Sequence, residues 1–156
     1  MYGRTMHVVR STDVVRTVMM WPVATVETVA SLSEVAEALA ADEIGALCVI
    51  ENGAVAGIVS ERDVVTHLAA GGDPAHLTAG EVMSGDLLTV TPETTLLEAA
   101  RMMQEGQVRH LPVLSEGLVA GMVSMRDLFG AFVDASAEEA DIVVVRSGTH
   151  VLVVAE

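Results

Sequence analysis

One block of this chain occurs twice. Residues 17–66 align without a gap onto residues 81–130 at a constant offset of 64, with about a third of the positions identical. The best-matched stretch is NGAVAGIVSERDVV, Asn52 to Val65, against EGLVAGMVSMRDLF, Glu116 to Phe129. A fixed period of this kind marks a duplicated supersecondary unit. It constrains the fold strongly, because the unit must be able to pack on a copy of itself. Neither copy is long enough to bury a full core alone, so the two are expected to pack together. Chemistry found in one copy is expected at the matching place in the other, and a cleft between two like units suits a small ligand.

Each copy reads as β-α-β-β-α. It opens on a Val-Met pair, Val18-Met19 and Val82-Met83, followed by a short strand expected over Val23 to Val26 and over Leu87 to Val90. A helix then starts at Ser31-Leu-Ser-Glu34 and at Thr95-Leu-Leu-Glu98. Both starts fit S/T-x-x-E, in which the two side chains satisfy orphan N–H groups of the first turn. Leu32, Val35, Ala36 and Leu39 recur at helical spacing in the first copy, and Leu96, Ala99, Ala100 and Met103 in the second. Two Val- and Leu-rich runs follow, separated by Glu51-Asn52-Gly53 and Ser115-Glu116-Gly117. A short polar connection ending in Gly between such runs reads as a β-hairpin. A second helix begins at Glu61 and at Met125. The fold class is therefore α+β, with two repeats related by pseudo-twofold symmetry. The expected divisions are an N-terminal segment 1–13, a first repeat 14–72, a linker 73–80, a second repeat 81–134 and an extension 135–156. Gly71-Gly72 and Asp73-Pro74 are the breakers before and in the linker. The extension holds Ile142-Val-Val-Val and His150-Val-Leu-Val-Val around Arg-Ser-Gly-Thr, a second expected β-hairpin. Its first run is apolar on both faces and calls for cover on the module or across an oligomer interface.

Composition removes several function classes. The chain is 51% hydrophobic but 3% aromatic, so its core is built from Val, Ala, Leu, Ile and Met. No apolar run reaches the roughly eighteen residues a membrane span needs. Pro22 and Glu27 interrupt the apolar stretch after Arg4, Arg10 and Arg16, so no signal peptide is expected and a cytoplasmic location is the default. Net charge is −14, and the eight basic residues are all Arg. That balance lacks the basic footprint of a nucleic-acid binder and disfavours anionic membranes. Cys48 is the single cysteine and sits in the apolar run Ala46 to Ile50, as expected of a buried thiol. The five histidines show no metal-ligand spacing, and no nucleophile lies beside a base in sequence, so neither a metal site nor an enzyme is expected.

The sharpest motif is Gly57-Ile-Val-Ser60-Glu-Arg62-Asp63, echoed by Gly121-Met-Val-Ser124-Met-Arg126-Asp127, each where a strand turns into a helix. Ser-x-x-Asp is a good helix start in its own right, with Ser as N-cap and the carboxylate facing the positive end of the helix dipole. The same geometry suits an anionic ligand. A helix N-terminus presents N–H groups to phosphate. The serine hydroxyl can donate to it, the arginine can neutralise it, and the carboxylate can accept from a vicinal diol such as a ribose.

The β-α-β-β-α repeat, the Val-Met openings, the run Val108-Arg-His-Leu-Pro-Val113 and the paired Gly-x-x-Ser-x-Arg-Asp endings together resemble a tandem pair of CBS domains, or Bateman module, over about residues 14–134. The resemblance implies two clefts for adenosyl ligands: AMP, ADP, ATP, NAD or S-adenosylmethionine. By that likeness Asp63 and Asp127 hold ribose hydroxyls, with Ser60 and Ser124 beside ribose and phosphate. Arg62 and Arg126 sit one residue before those aspartates. The likeness also implies that Val23 and Ala24 with Ala46 and Leu47, and Leu87 and Leu88 with His110, Leu111 and Pro112, flank the adenine. Arg109-His110 of the second copy stands where the first has Gly45-Ala46, so unequal sites are expected, with the Asp127 side better suited to charged phosphates. The resulting expectation is a stand-alone regulatory module that needs no cofactor. It would take an adenine nucleotide as regulatory ligand, act as a homodimer and signal to a partner protein that the sequence does not name. The alternative is a ligand-independent dimerisation or scaffold module in which the Ser-Asp pairs are caps alone.

Overall fold

A computed structural model describes residues 12–42, 44–136, 142–147 and 150–155. Most of the expected N-terminal segment, residues 1–11, lies outside the described residues, as do positions 148–149 of the C-terminal turn.

In the first copy, β1 (Thr25–Glu27), α1 (Leu32–Ala41), β2 (Ala46–Glu51), β3 (Ala54–Ser60) and α2 (Glu61–Ala69) follow the expected order. The three strands form one sheet in the order β1-β2-β3, parallel between β1 and β2 and antiparallel between β2 and β3. Asn52 and Gly53 take φ of 52° and 81°, so the hairpin turns on two left-handed residues. That turn matches the twist of the flanking strands and is the conformation Asn-Gly favours. Glu116 and Gly117 repeat it at 52° and 80°. At the start of α1 the Ser31 N–H and hydroxyl donate to Glu34 Oε2 at 2.7 and 2.8 Å, and Glu34 N–H donates back to Ser31 Oγ at 3.2 Å. These bonds hold the Glu34 carboxyl below its ordinary pKa, the backbone donor contributing most.

A short helix α3 (Ala79–Val82) leads into the second copy, which continues with α4 (Leu96–Gly106), β4 (His110–Ser115), β5 (Leu118–Ser124) and α5 (Met125–Ser136). At α4 the Thr95 hydroxyl accepts from Glu98 N–H at 3.2 Å. β4 and β5 pair as a two-stranded sheet. The strand expected over Leu87 to Val90 does not form, and residues 87–89 have no regular structure. The physical reason is visible at the matched positions. In the first copy, Cys48 N–H donates to the Ala24 carbonyl at 3.3 Å and ties the incoming segment to β2. The residue at the equivalent place, Pro112, has no N–H to offer the Leu88 carbonyl.

The extension forms β6 (Ile142–Ser147) and β7 (His150–Ala155), an antiparallel pair in register from Ile142↔Ala155 to Ser147↔His150. The expected C-terminal hairpin is therefore present.

Compact packing does not follow the sequence repeats. One unit combines the chain up to Met19 with Val90–Leu111 and the residues from Val123 on; the other combines Met20–Thr89 with Pro112–Met122. The cause is an exchange of the segments that precede each copy. Leu96 N–H donates to the Asp13 carbonyl at 2.8 Å, and its equivalent Leu32 N–H donates to Leu77 at 2.8 Å. Val15 N–H bonds Thr94 at 2.8 Å, as Ala79 N–H bonds Ala30 at 2.7 Å. Met20 pairs with Met122, and Ser84 with Ile58. Every pair repeats at the offset of 64, and each segment joins the copy that it does not precede.

The second unit has a core of Leu32, Val35, Leu39, Leu47, Val49, Val59, Val64, Ala79 and Val82. Here α1, β2, β3, α2 and α3 each contribute an apolar face, and the exchanged helix α3 supplies two of the nine side chains. The motif glycine Gly57 belongs to this packing. A Cβ there would collide with Met83 Sδ and lie 2.9 Å from the Ser84 carbonyl oxygen, so the residue is fixed by close approach of the exchanged segment. In the first unit Val15, Leu96, Ala99, Ala100, Met103, Leu111, Leu128 and Phe132 are buried. Cys48 is fully buried, and burial pushes its thiol up to about 11. Among the described residues no helix is long and apolar enough to cross a membrane, and no cluster of His, Cys, Asp and Glu fits a metal.

Candidate functional site

The first-copy residues converge because of strand direction. β1 and β2 run parallel from the same end of the sheet, and antiparallel β3 finishes there. Ala46 pairs with Ser60 across β2 and β3, and the Ala24 carbonyl bonds Cys48 N–H just inside the same end. Helix α2 starts at that point, and its first N–H, on Glu61, donates to the Gly45 carbonyl at 3.1 Å. Val23, Ala24, Ala46, Ser60 and Asp63 thus gather at one end of the sheet, beside a helix N-terminus.

The Ser-Asp pair is a reciprocal cap. Ser60 N–H and Ser60 Oγ–H both donate to Asp63 Oδ2 at 2.7 Å, and Asp63 N–H donates to Ser60 Oγ at 3.3 Å. The second copy repeats it: Ser124 N–H and Oγ–H reach Asp127 Oδ2 at 2.7 Å, and Asp127 N–H reaches Ser124 Oγ at 3.1 Å. Met125 N–H donates to the Arg109 carbonyl at 2.9 Å, the counterpart of the Glu61–Gly45 bond. In both copies the cap is closed through one carboxylate oxygen, Oδ2. The first-turn N–H groups of Arg62 and Arg126 are claimed neither by the cap nor by the strand carbonyl. All four Ser and Asp residues are half-buried.

Arg62, Arg109 and Arg126 are exposed, and none forms an ion pair with another described residue. Arg16, by contrast, pairs with Glu93. His110 is half-buried.

The structure separates the other expected site residues. Leu47 and Leu111 are fully buried and Ala46 and Pro112 are buried, so the Leu47 side chain serves the core and a ligand would meet backbone there. Leu87 is half-buried and Leu88 exposed. Arg109, His110, Leu111, Ser124, Arg126 and Asp127 fall in one compact unit, while Leu87, Leu88 and Pro112 fall in the other with all the first-copy residues. Sequence reasoning missed the carbonyls of Gly45 and Arg109, which anchor the two helix starts. A backbone acceptor has no signature in the side-chain alphabet; the offset of 64 between Gly45 and Arg109 was the available hint.

Comparison with known proteins agrees with this architecture. Residues 15–70 and 79–134 each match the CBS domain. The chain belongs to the CBS domain family. Among relatives, the CBS domain-containing protein YhcV of Bacillus subtilis is 31% identical over 114 residues, covering 73% of this chain and 81% of YhcV. The mitochondrial CBS domain-containing protein CBSX3 of Arabidopsis thaliana is 38% identical over 102 residues, 62% of this chain and 50% of that protein, so the chain spans half its length. In structure, the CBS domain pair of protein MJ0100, solved in complex with 5′-methylthioadenosine and S-adenosyl-L-methionine, superposes with a TM-score of 0.73 at 22% identity, covering 78% of this chain and 97% of that one. That likeness carries the fold. The present CBS pair differs from the expectation drawn from sequence in the missing strand before β4 and in the short helix α3.

Proposed function

We propose that this CBS pair is a regulatory, non-catalytic module that binds an adenosyl ligand at its two Ser-x-x-Asp helix starts. It passes occupancy to a partner protein through conformation or oligomer state. The observation that carries the reading is the twice-built constellation of a half-buried Ser-Asp cap, closed through one carboxylate oxygen, with an exposed arginine in the same first turn. Ribose hydroxyls donate to Asp63 or Asp127, phosphate meets the Arg62 or Arg126 end of the helix, and in the first copy adenine lies along Val23–Ala24 and Ala46. The adenosyl compounds bound to the MJ0100 pair support this ligand class. Arg109 and His110 add donors to the second copy alone, so the Asp127 site favours phosphorylated ligands.

The test is a thermal shift of the whole chain with AMP, ADP, ATP, NAD and S-adenosylmethionine. A ligand at a hundred times its dissociation constant adds about 2.7 kcal/mol, which raises the melting temperature of a chain this size by roughly 5 to 10 °C. Absence of any shift overturns the reading.

A ligand-independent scaffold is the second reading, and one observation favours it. The same reciprocal box recurs at Ser31–Glu34 and at Thr78–Glu81, away from the candidate sites. Asp63→Ala with Asp127→Ala separates the two readings. Both roles predict a lowered apo melt, because each carboxylate closes a cap, but only a ligand role predicts a nucleotide-induced shift in the wild type that is lost in the variant.

A further inference from the structure

We propose that Trp21 stacks on the adenine in the first copy, so that this copy selects its ligand by the base. This role rests on the adenosyl reading above and adds to it the residue that distinguishes an adenosyl compound from a bare sugar phosphate.

Trp21 is the chain's one tryptophan, and it is 72% exposed. Single exposed hydrophobes are ordinary on protein surfaces. Trp21 is set apart by how it is held and by where it stands. On one side, Met20 N–H donates to the Met122 carbonyl at 2.8 Å, and Met122 N–H donates back to Met20 at 3.1 Å. On the other, the Ala24 carbonyl accepts from Cys48 N–H at 3.3 Å. The main chain is thus bonded immediately before the tryptophan and three residues after it. The indole is displayed from a segment tethered at both ends.

The far tether is the candidate site itself. Three residues span at most about 11 Å, which keeps Trp21 beside it. Val23 and Ala24 are half-buried there, and Ala46, two residues before Cys48, pairs with the cap residue Ser60. Trp21, Ala24, Ala46, Ser60 and Asp63 all belong to one compact unit.

Chemistry names what the indole takes. The first copy has Gly45-Ala46 where the second has Arg109-His110, so it holds fewer donors for phosphate. Adenine is uncharged and presents a flat π-face, so a net charge of −14 does not oppose its stacking. Base–aromatic stacking is worth about tenfold or more in affinity. An indole supplies that surface at low cost in side-chain entropy. The matched position in the second copy is Gly85, which has no side chain to stack. Recognition of the base through an aromatic ring therefore belongs to the first copy.

The test uses the full-length chain carrying Asp127→Ala, which leaves the first copy as the nucleotide site. Tryptophan emission reports on position 21 alone, because no other indole is present. The probes are adenosine, AMP and ribose 5-phosphate. Adenosine and AMP are expected to change the emission saturably, and ribose 5-phosphate to leave it unchanged. By isothermal titration, Trp21→Ala in this chain should weaken AMP binding about tenfold or more. Its melting temperature should stay at the parent value, and Trp21→Phe should keep most of the affinity. AMP that binds without altering emission, and equally well after Trp21→Ala, overturns the stacking role while the adenosyl reading stands. Affinity lost only together with melting temperature overturns it too. Absence of a thermal shift with every adenosyl compound in the wild type removes both.

Discussion

The two helix starts are alike in backbone and unlike in the strand beside them. Around Ser60–Asp63 and Ser124–Asp127 the cap bonds agree at 2.7 Å, and the helix is anchored to a strand carbonyl at 3.1 and 2.9 Å. The carbonyl belongs to Gly45 in one copy and to Arg109 in the other. Duplication has thus preserved the hydrogen-bonded frame, while one of the positions it holds has gained a guanidinium. A backbone frame constrains its own donors and acceptors and leaves the side chain at an anchoring position free to change. That is how one fold can carry two sites of different charge.

The largest expected effect removes what the copies share. On the proposed reading, Asp127→Ala and Asp63→Ala each delete an acceptor for two ribose hydroxyls, at about 1.5–3 kcal/mol per charge-assisted hydrogen bond. Each is expected to weaken binding at its own copy by at least about a hundredfold. Isothermal titration of single and double variants checks this, and unaltered affinity in the double variant would falsify the ribose role.

Next comes the difference between the copies. Arg109→Ala is expected to lower affinity for AMP or ATP by roughly tenfold, one charge-assisted bond, while adenosine binds as before. Gly45→Arg in the first copy is the converse and should narrow the gap between the sites. Equal sites in the wild type, unmoved by Arg109→Ala, would end the asymmetric reading.

A smaller effect tests the frame. Ser60→Ala and Ser124→Ala should each cost about 1 kcal/mol of stability, the usual value of a lost N-cap. Denaturant melts of both variants should agree, and a large difference between them would show that the frames are not equivalent.

The smallest effect is a pH dependence at the caps away from the site. Hydrogen bonds from Ser31 and from Thr78 hold the Glu34 and Glu81 carboxyls below their ordinary 4.5. A carboxyl depressed in the folded state stabilises it above the unfolded pKa, and that contribution fades as pH falls through the folded value. Melting temperature should therefore fall on acidification below about pH 4.5. Glu34→Gln with Glu81→Gln should flatten that slope slightly.

Much of the molecule is legible in the residues because the signals are local. Ser31 with Glu34, Asn52-Gly53 and the apolar spacing of α1 and α4 each act within a few residues, and the structure forms each where it was expected. The Ser-Asp motif was legible as a helix start for the same reason. The missing strand before β4 was legible only in part. Pro112 announces a missing donor, but its consequence concerns a partner segment around Leu88, 24 positions away in the chain.

The sequence alone determined the repeat, the element order of the first copy, the two caps and the substitution of Arg109-His110 for Gly45-Ala46. Tertiary structure alone decided which segments share a core. Met20 bonds Met122 and Ser84 bonds Ile58 through main-chain groups that every residue possesses, so no side-chain pattern could announce the exchange. It likewise decided that Leu47 and Leu111 serve the interior, and that the Gly45 and Arg109 carbonyls hold the helix starts. Backbone hydrogen bonds and burial belong to pairs of distant positions, and a linear sequence records each position singly.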